Sequence, residues 1–163
     1  MARIDFVTGN AQMYLPEVEA LATVPDRVED LVGPRPDADL RRADEGGRSG
    51  ARVVGDMIAR ARADQHALHR MAWMSDPVIP PLDLDAAANQ SFWGSRSTRE
   101  LLEWLTEPIA ETVELLKDQP DAAWGRPGLF VEGRRSIRQR ARESAAFYDE
   151  RIAELETLLA VRV

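Results

Sequence analysis

The sequence predicts an all-α fold, a four-helix bundle with one long crossover connection. Three observations predict it. Apolar residues recur at three- and four-residue steps through four long segments, which puts each set on one helical face. No segment shows a convincing two-residue alternation, so no sheet is expected. Clusters of Pro, Gly and Ser fall between the four segments and supply their stops and caps. Each apolar stripe must be buried against others, and four helices of about 20–25 residues close around a shared core.

The first helix carries Tyr14, Val18, Leu21, Val28, Leu31 and Val32 on its apolar side. Pro25 removes a backbone donor, so this helix should kink or restart there. Gly33-Pro34-Arg35-Pro36 ends it. Asp37 to Asp44 reads as a short turn or a one-turn helix. Gly46-Gly47-Arg48-Ser49 reads as a loop, with Ser49 as the N-cap of the second long helix. That helix turns Val54, Ile58, Ala61, Leu68 and Ala72 inward and stops near Met74, because Ser75-Asp76-Pro77 disfavours helix.

Pro77 to Pro81 is extended, and Asp83 to Phe92 holds a short helix capped by Asp83 or Asp85. Ser95 or Ser97 caps the third long helix, with Glu100 as a capping-box partner of Ser97. Its inward face is Leu101, Leu102, Leu105, Ile109, Val113 and Leu116, and Pro108 inside it predicts a kink. Gln119 to Gly133 is a long connection containing Trp124 and Leu129-Phe130-Val131. Ser136 caps the fourth helix, whose core residues are Ile137, Ala141, Ala145, Tyr148, Ile152, Leu155 and Leu159.

The 163 residues suit one domain, taken here as residues 1–163. With 21 Lys+Arg against 28 Asp+Glu the net charge is −7, which argues against a nucleic-acid partner. Cysteine is absent, so disulfides, thiolate metal sites and a cysteine nucleophile are excluded. No apolar run reaches membrane-spanning length, and residues 1–10 lack the apolar stretch of a signal peptide. A cytoplasmic protein without a membrane partner is expected. Arg134, Arg135, Arg138, Arg140 and Arg142 cluster at the start of the last helix. They read as a solvated face neutralised by acids such as Glu111, Glu114, Glu143 and Asp149. Trp73, Trp93, Trp104 and Trp124 read mostly as core or edge packing, with some at a homodimer contact.

Three stretches in order carry a family resemblance. They are Gly46-Gly47-Arg48-Ser49-Gly50-Ala51-Arg52-Val53-Val54-Gly55, Asp121-Ala122-Ala123-Trp124-Gly125-Arg126-Pro127-Gly128, and Gly133-Arg134-Arg135-Ser136-Ile137-Arg138. Together they resemble the DinB/YfiT-like superfamily of four-helix bundles. The resemblance implies a metal site held by one His of helix two and two His four residues apart on the last helix. It also implies two activities, metal-dependent hydrolysis and chemistry with low-molecular-weight thiols such as mycothiol or bacillithiol.

At those three positions this chain carries Asp56, Phe147 and Arg151. Phe147 has no donor atom, and Arg151 stays protonated and repels a cation. The expectation is therefore that the three-His metal site is absent and that no cofactor is held. Asp56 and Arg151 are expected to face each other, a guanidinium standing where the ion would stand. The alternative puts Arg151 in solvent and Asp56 on the surface. Asp56, Ala59, Ala63 and Ala67 form a small-residue stripe that either packs closely or leaves a cavity. A cavity lined by Asp56, Phe147 and Arg151 would suit a small polar or anionic ligand. A protein partner is the other occupant considered. Two enzymatic alternatives stand beside this reading. One is a thiol-dependent transferase or isomerase. The other is a metal-dependent hydrolase with a non-standard ligand set, Asp56 with His66 or His69.

Overall fold

A computed structural model describes residue 14 and residues 16–160. Residues 1–10, read above for the lack of a leader, lie outside the described residues. The first arm of the bundle is two helices in line, α1 (16–22) and α2 (Val24–Val32). The break falls at Thr23, and Pro25 then sits in the first turn of α2, where a missing N–H leaves no bond unmade. A one-turn helix α3 (Asp37–Arg41) follows. Gly47 makes the next loop at φ +83°, a conformation that disfavours a side chain.

Ser49 starts α4 (Gly50–Trp73): its Oγ accepts the Arg52 N–H at 3.1 Å. Asp83 caps α5 (Leu84–Ser91) through the Ala86 N–H, and Ser97 caps α6 (Thr98–Lys117) through the Glu100 N–H. Pro108 lies inside α6 without ending it. The last long helix is α7 (Ile137–Ala160), where the Ser136 Oγ accepts the Gln139 N–H.

The connection before α7 differs from the expectation. It holds a 3-10 turn (Asp121–Gly125) and an antiparallel hairpin of β1 (Pro127–Phe130) and β2 (Gly133–Ser136). Val78 bridges to Leu129 in parallel, so the extended 77–79 stretch lies beside β1. Strands of four residues are too short for alternation to emerge from the sequence. Gly133, at φ +127°, closes the two-residue turn.

Around the bundle, α2 packs against α6 and α7, and α4 packs against the same two helices. Asp56 meets Arg151 and Asp64 meets Arg140, so α4 and α7 run antiparallel. On the other side, Gly55 touches Trp93, Arg62 covers Trp104 and Gln65 donates to Glu111. Those pairs rise together, so α4 and α6 run parallel. Parallel neighbours cannot be joined by a tight turn. The chain must travel back along the bundle, which is the work of residues 74–97 and accounts for the long crossover.

The core is built as the periodicity predicts, from residues such as Val54, Ile58, Leu105, Ile137, Tyr148 and Leu155. Ala72, Leu102 and Ala145, expected on inward faces, are only partly buried. Among the described residues no helix is long and apolar enough to cross a membrane. Trp93 is buried, whereas Trp73 stands exposed in the last turn of α4.

Trp93 fixes the return of the crossover, and it does so on a glycine. A Cβ at Gly55 would lie 2.3 Å from the Trp93 ring. Gly55→Ala is therefore expected to destabilise the fold by about 1–3 kcal/mol or more, through forced displacement of the indole. A urea midpoint unchanged from the parent chain would refute that account.

Candidate functional site

Four residues of α4 repeat at four-residue spacing with alternating charge: Arg52, Asp56, Arg60 and Asp64. Such a spacing puts them on one face, and that face meets α7. From α7 come Arg140, Ser144, Phe147, Arg151 and Glu154. The result is a charged seam through one side of the bundle.

The half near the start of α4 is open. Asp56 is 1 % exposed, and both of its oxygens are engaged. Oδ1 accepts from the Arg52 Nε at 2.9 Å, and Oδ2 accepts from the Arg48 Nη2 at 3.1 Å. The Arg151 Nε lies 3.7 Å from Oδ2, an ion pair beyond hydrogen-bond reach. This Nε is buried without a hydrogen-bond partner among the described residues. Arg48 also forks onto Glu154, Nε to Oε2 at 3.0 Å and Nη2 to Oε1 at 2.9 Å. Arg52 reaches outward to Asp85 of α5, Nη2 to Oδ1 at 2.7 Å. The Arg151 guanidinium covers the Phe147 ring at 4.6 Å.

Arg48, Arg52, Asp56, Arg151 and Glu154 line an open cleft of about 900 Å³ together with residues 81–85 of the crossover, and Phe147, expected in its lining, lies behind Arg151 instead. The hydrogen bonds to Glu154, followed by the charge of Asp56, hold Arg48 protonated even more firmly than a free guanidinium, against the effect of burial. Asp85 and then Asp56 raise Arg52 in the same way.

The other half is sealed. Asp64 is 3 % exposed. Its Oδ1 accepts from the Arg140 Nε at 2.9 Å, and its Oδ2 accepts from the Arg60 Nε at 3.2 Å and from the Ser144 hydroxyl. Arg60 closes the loop by donating to the Ser144 Oγ at 3.0 Å. Burial pushes the neighbouring Tyr148 hydroxyl well above its ordinary range, with Asp64 adding to the effect. Phe147 divides the halves: Arg60 lies 5.2 Å from its ring centroid and Arg151 4.6 Å.

The structure thus brings Asp56, Phe147 and Arg151 into one place. Asp56 is held more closely by Arg52 and Arg48 than by Arg151, and sequence reasoning had assigned neither a role there. A signal for Arg52 existed in its position one helical turn before Asp56. Arg48 carried no such signal, because its reach depends on the loop conformation.

Two expectations need correction. Arg140 is not part of a solvated face. It is buried against Asp64, and its guanidinium covers Phe130 at 4.6 Å. Its neighbours are neutralised mainly by acids other than those expected. Arg134 pairs with Asp76, Arg138 and Arg142 pair with Glu17, and only Arg135 uses Glu143. Asp149 pairs instead with Arg27, and Glu114 with Lys117. The non-standard ligand set also fails on geometry. His66 and His69 are exposed and share a groove with Glu111 and Asp118 of the α6 side. His66 lies ten residues beyond Asp56, about 15 Å along the helix. Among the described residues, no three His, Cys, Asp or Glu side chains are grouped so as to hold a metal ion.

No family model and no curated protein matches this chain by sequence. Among solved structures it is similar to YfiT from Bacillus subtilis, described as a probable metal-dependent hydrolase with an unusual four-helix bundle topology. The TM-score is 0.74 at 17 % identity, covering 87 % of this chain and 85 % of that one. The fold is therefore an all-α four-helix bundle like that of YfiT, and it includes a small antiparallel strand pair.

Removing Asp64 would leave two buried guanidiniums facing each other. Asp64→Ala is expected to cost about 3–5 kcal/mol of stability. Arg99→Ala, at a fully solvated ion pair, should stay within about 0.5 kcal/mol of the parent. Equal urea midpoints for the two variants would contradict the sealed-cluster description.

Proposed function

We propose that this chain is a DinB-like bundle that binds a small anionic ligand in the Arg48–Arg52–Arg151 cleft, without a resident metal ion. The observation that carries this is the enclosure of Asp56 by three guanidiniums at the mouth of an open cleft. A divalent ion needs several uncharged or anionic donors around one point, and here a single buried carboxylate is ringed by cations. Both Asp56 oxygens already accept from arginine, Phe147 presents a ring, and Arg151 presents a cation. The positive charge that a metal would supply comes from protein side chains.

An anion is favoured locally rather than by net charge, since the cleft sets its three guanidiniums among four carboxylates, Asp56, Asp83, Asp85 and Glu154. Three guanidiniums face the carboxylates of Asp56 and Glu154. One positive charge is then left to Asp85, which is 87 % exposed on the rim. Arg48, Arg52 and Arg151 each keep roughly a quarter to a third of the side chain open. A planar guanidinium presents paired donors that match a carboxylate or phosphate. Pro81, Leu82 and Leu84 offer an apolar wall to the rest of such a ligand.

A thermal-shift series with inorganic phosphate and small carboxylates tests this. At a hundred dissociation constants, linkage gives about 2.7 kcal/mol, a rise in Tm of roughly 5–10 °C for a domain of this size. Arg151→Met should remove most of the rise. Zinc analysis of untagged protein, dialysed against the metal, should show well under one equivalent. A full equivalent lost on Asp56→Ala would overturn the metal-free reading.

A further inference from the structure

The geometry points to Asp85 as a built-in competitor, a carboxylate of the crossover that occupies the anion-binding side of Arg52 until a ligand replaces it. This inference rests on the anion-binding reading of the cleft and adds its control.

The helix α5 lies at the edge of the bundle. None of its residues is fully buried, and only Leu84, Ala87 and Ala88 pack against the core, from its edge. It is also held at its two ends. At one end Asp83 caps the first turn, after the stiff Pro80-Pro81 pair. At the other, Phe92 takes a left-handed conformation and passes the chain to Trp93, which sits on Gly55. Between these anchors Asp85 reaches one of the cleft's three guanidiniums at 2.7 Å.

The pair is made of unequal partners. The Arg52 side chain is 27 % exposed and tied to Asp56, whereas that of Asp85 is 87 % exposed. Such a solvated carboxylate gains little from its ion pair. Its release is cheap for a second reason: Asp85 lies in the first turn of α5, where the helix N-terminus favours negative charge with or without Arg52. A ligand that brings two oxygens to the guanidinium can therefore displace it. Asp83, the other acid on that wall, is committed to the Ala86 N–H and does not compete in the same way. The ligand class is the one that can mimic an aspartate carboxylate, a carboxylate or a phosphate. An uncharged ligand would gain nothing from exchanging with Asp85.

Calorimetric titration with inorganic phosphate at low salt distinguishes the outcomes. Asp85→Asn should bind phosphate about two- to five-fold tighter than the parent, because the competitor is gone. Asp76→Asn removes one exposed acid far from the cleft and should leave the affinity unchanged, which separates local competition from net charge. On an Arg52→Ala background, Asp85→Asn should give no gain. If the parent binds phosphate and Asp85→Asn binds it no better, the competitor role is wrong and the anion site stands. If neither parent nor variant binds phosphate or acetate, the anion site falls and the competitor role falls with it.

Discussion

The interface of α4 with α7 is governed by one constraint: a buried carboxylate must have both of its oxygens hydrogen-bonded and its charge paired. Asp56 and Asp64 lie inside the bundle at 1 % and 3 % exposure, eight residues apart on the same helix face. Each is met by guanidiniums from its own helix one turn earlier and from across the interface. Charges at this depth are tolerated only when paired and hydrogen-bonded. The seam therefore fixes how α7 may slide along α4. A shift of one turn would put Arg140 beside Arg60 and leave Asp64 without a cross-helix partner.

The same requirement links fold to site. The open half needs Arg48, which stands in the loop before α4, and Asp85, which stands in the crossover. Both loops are held by features of the backbone rather than by a core of their own. Gly47 turns the first, and the Trp93–Gly55 contact returns the second. Irregular segments thus bring polar groups to a rigid pair of helices, a common way to build a binding surface.

Helical periodicity made the bundle legible, and short polar residues before each apolar run made its caps legible. Ser49, Asp83, Ser97 and Ser136 all perform as read. The hairpin escaped because its pairing is non-local in physics though near in sequence: four-residue strands carry no period worth counting. The site was half visible. Asp56 and Arg151 come to 3.7 Å, an ion pair, while Arg52 and Arg48 hold the carboxylate by hydrogen bonds. Arg140 was misread because a run of arginines looks solvated, and only the facing helix reveals which member turns inward. Its signal lay in Asp64, a charge on the predicted core side of α4 that needed an answer from elsewhere.

Phe147 gives the seam an insulator. Its ring stands between the Arg60 guanidinium and the Arg151 guanidinium, so no hydrogen-bonded chain joins the two clusters directly through it. Two networks on one interface are thereby partitioned into a keel and a hand. The sealed cluster is closed to solvent, and the other lies open to it while still fixing a buried carboxylate between the helices. A scaffold arranged this way keeps the wet half of its charged seam apart from the dry half.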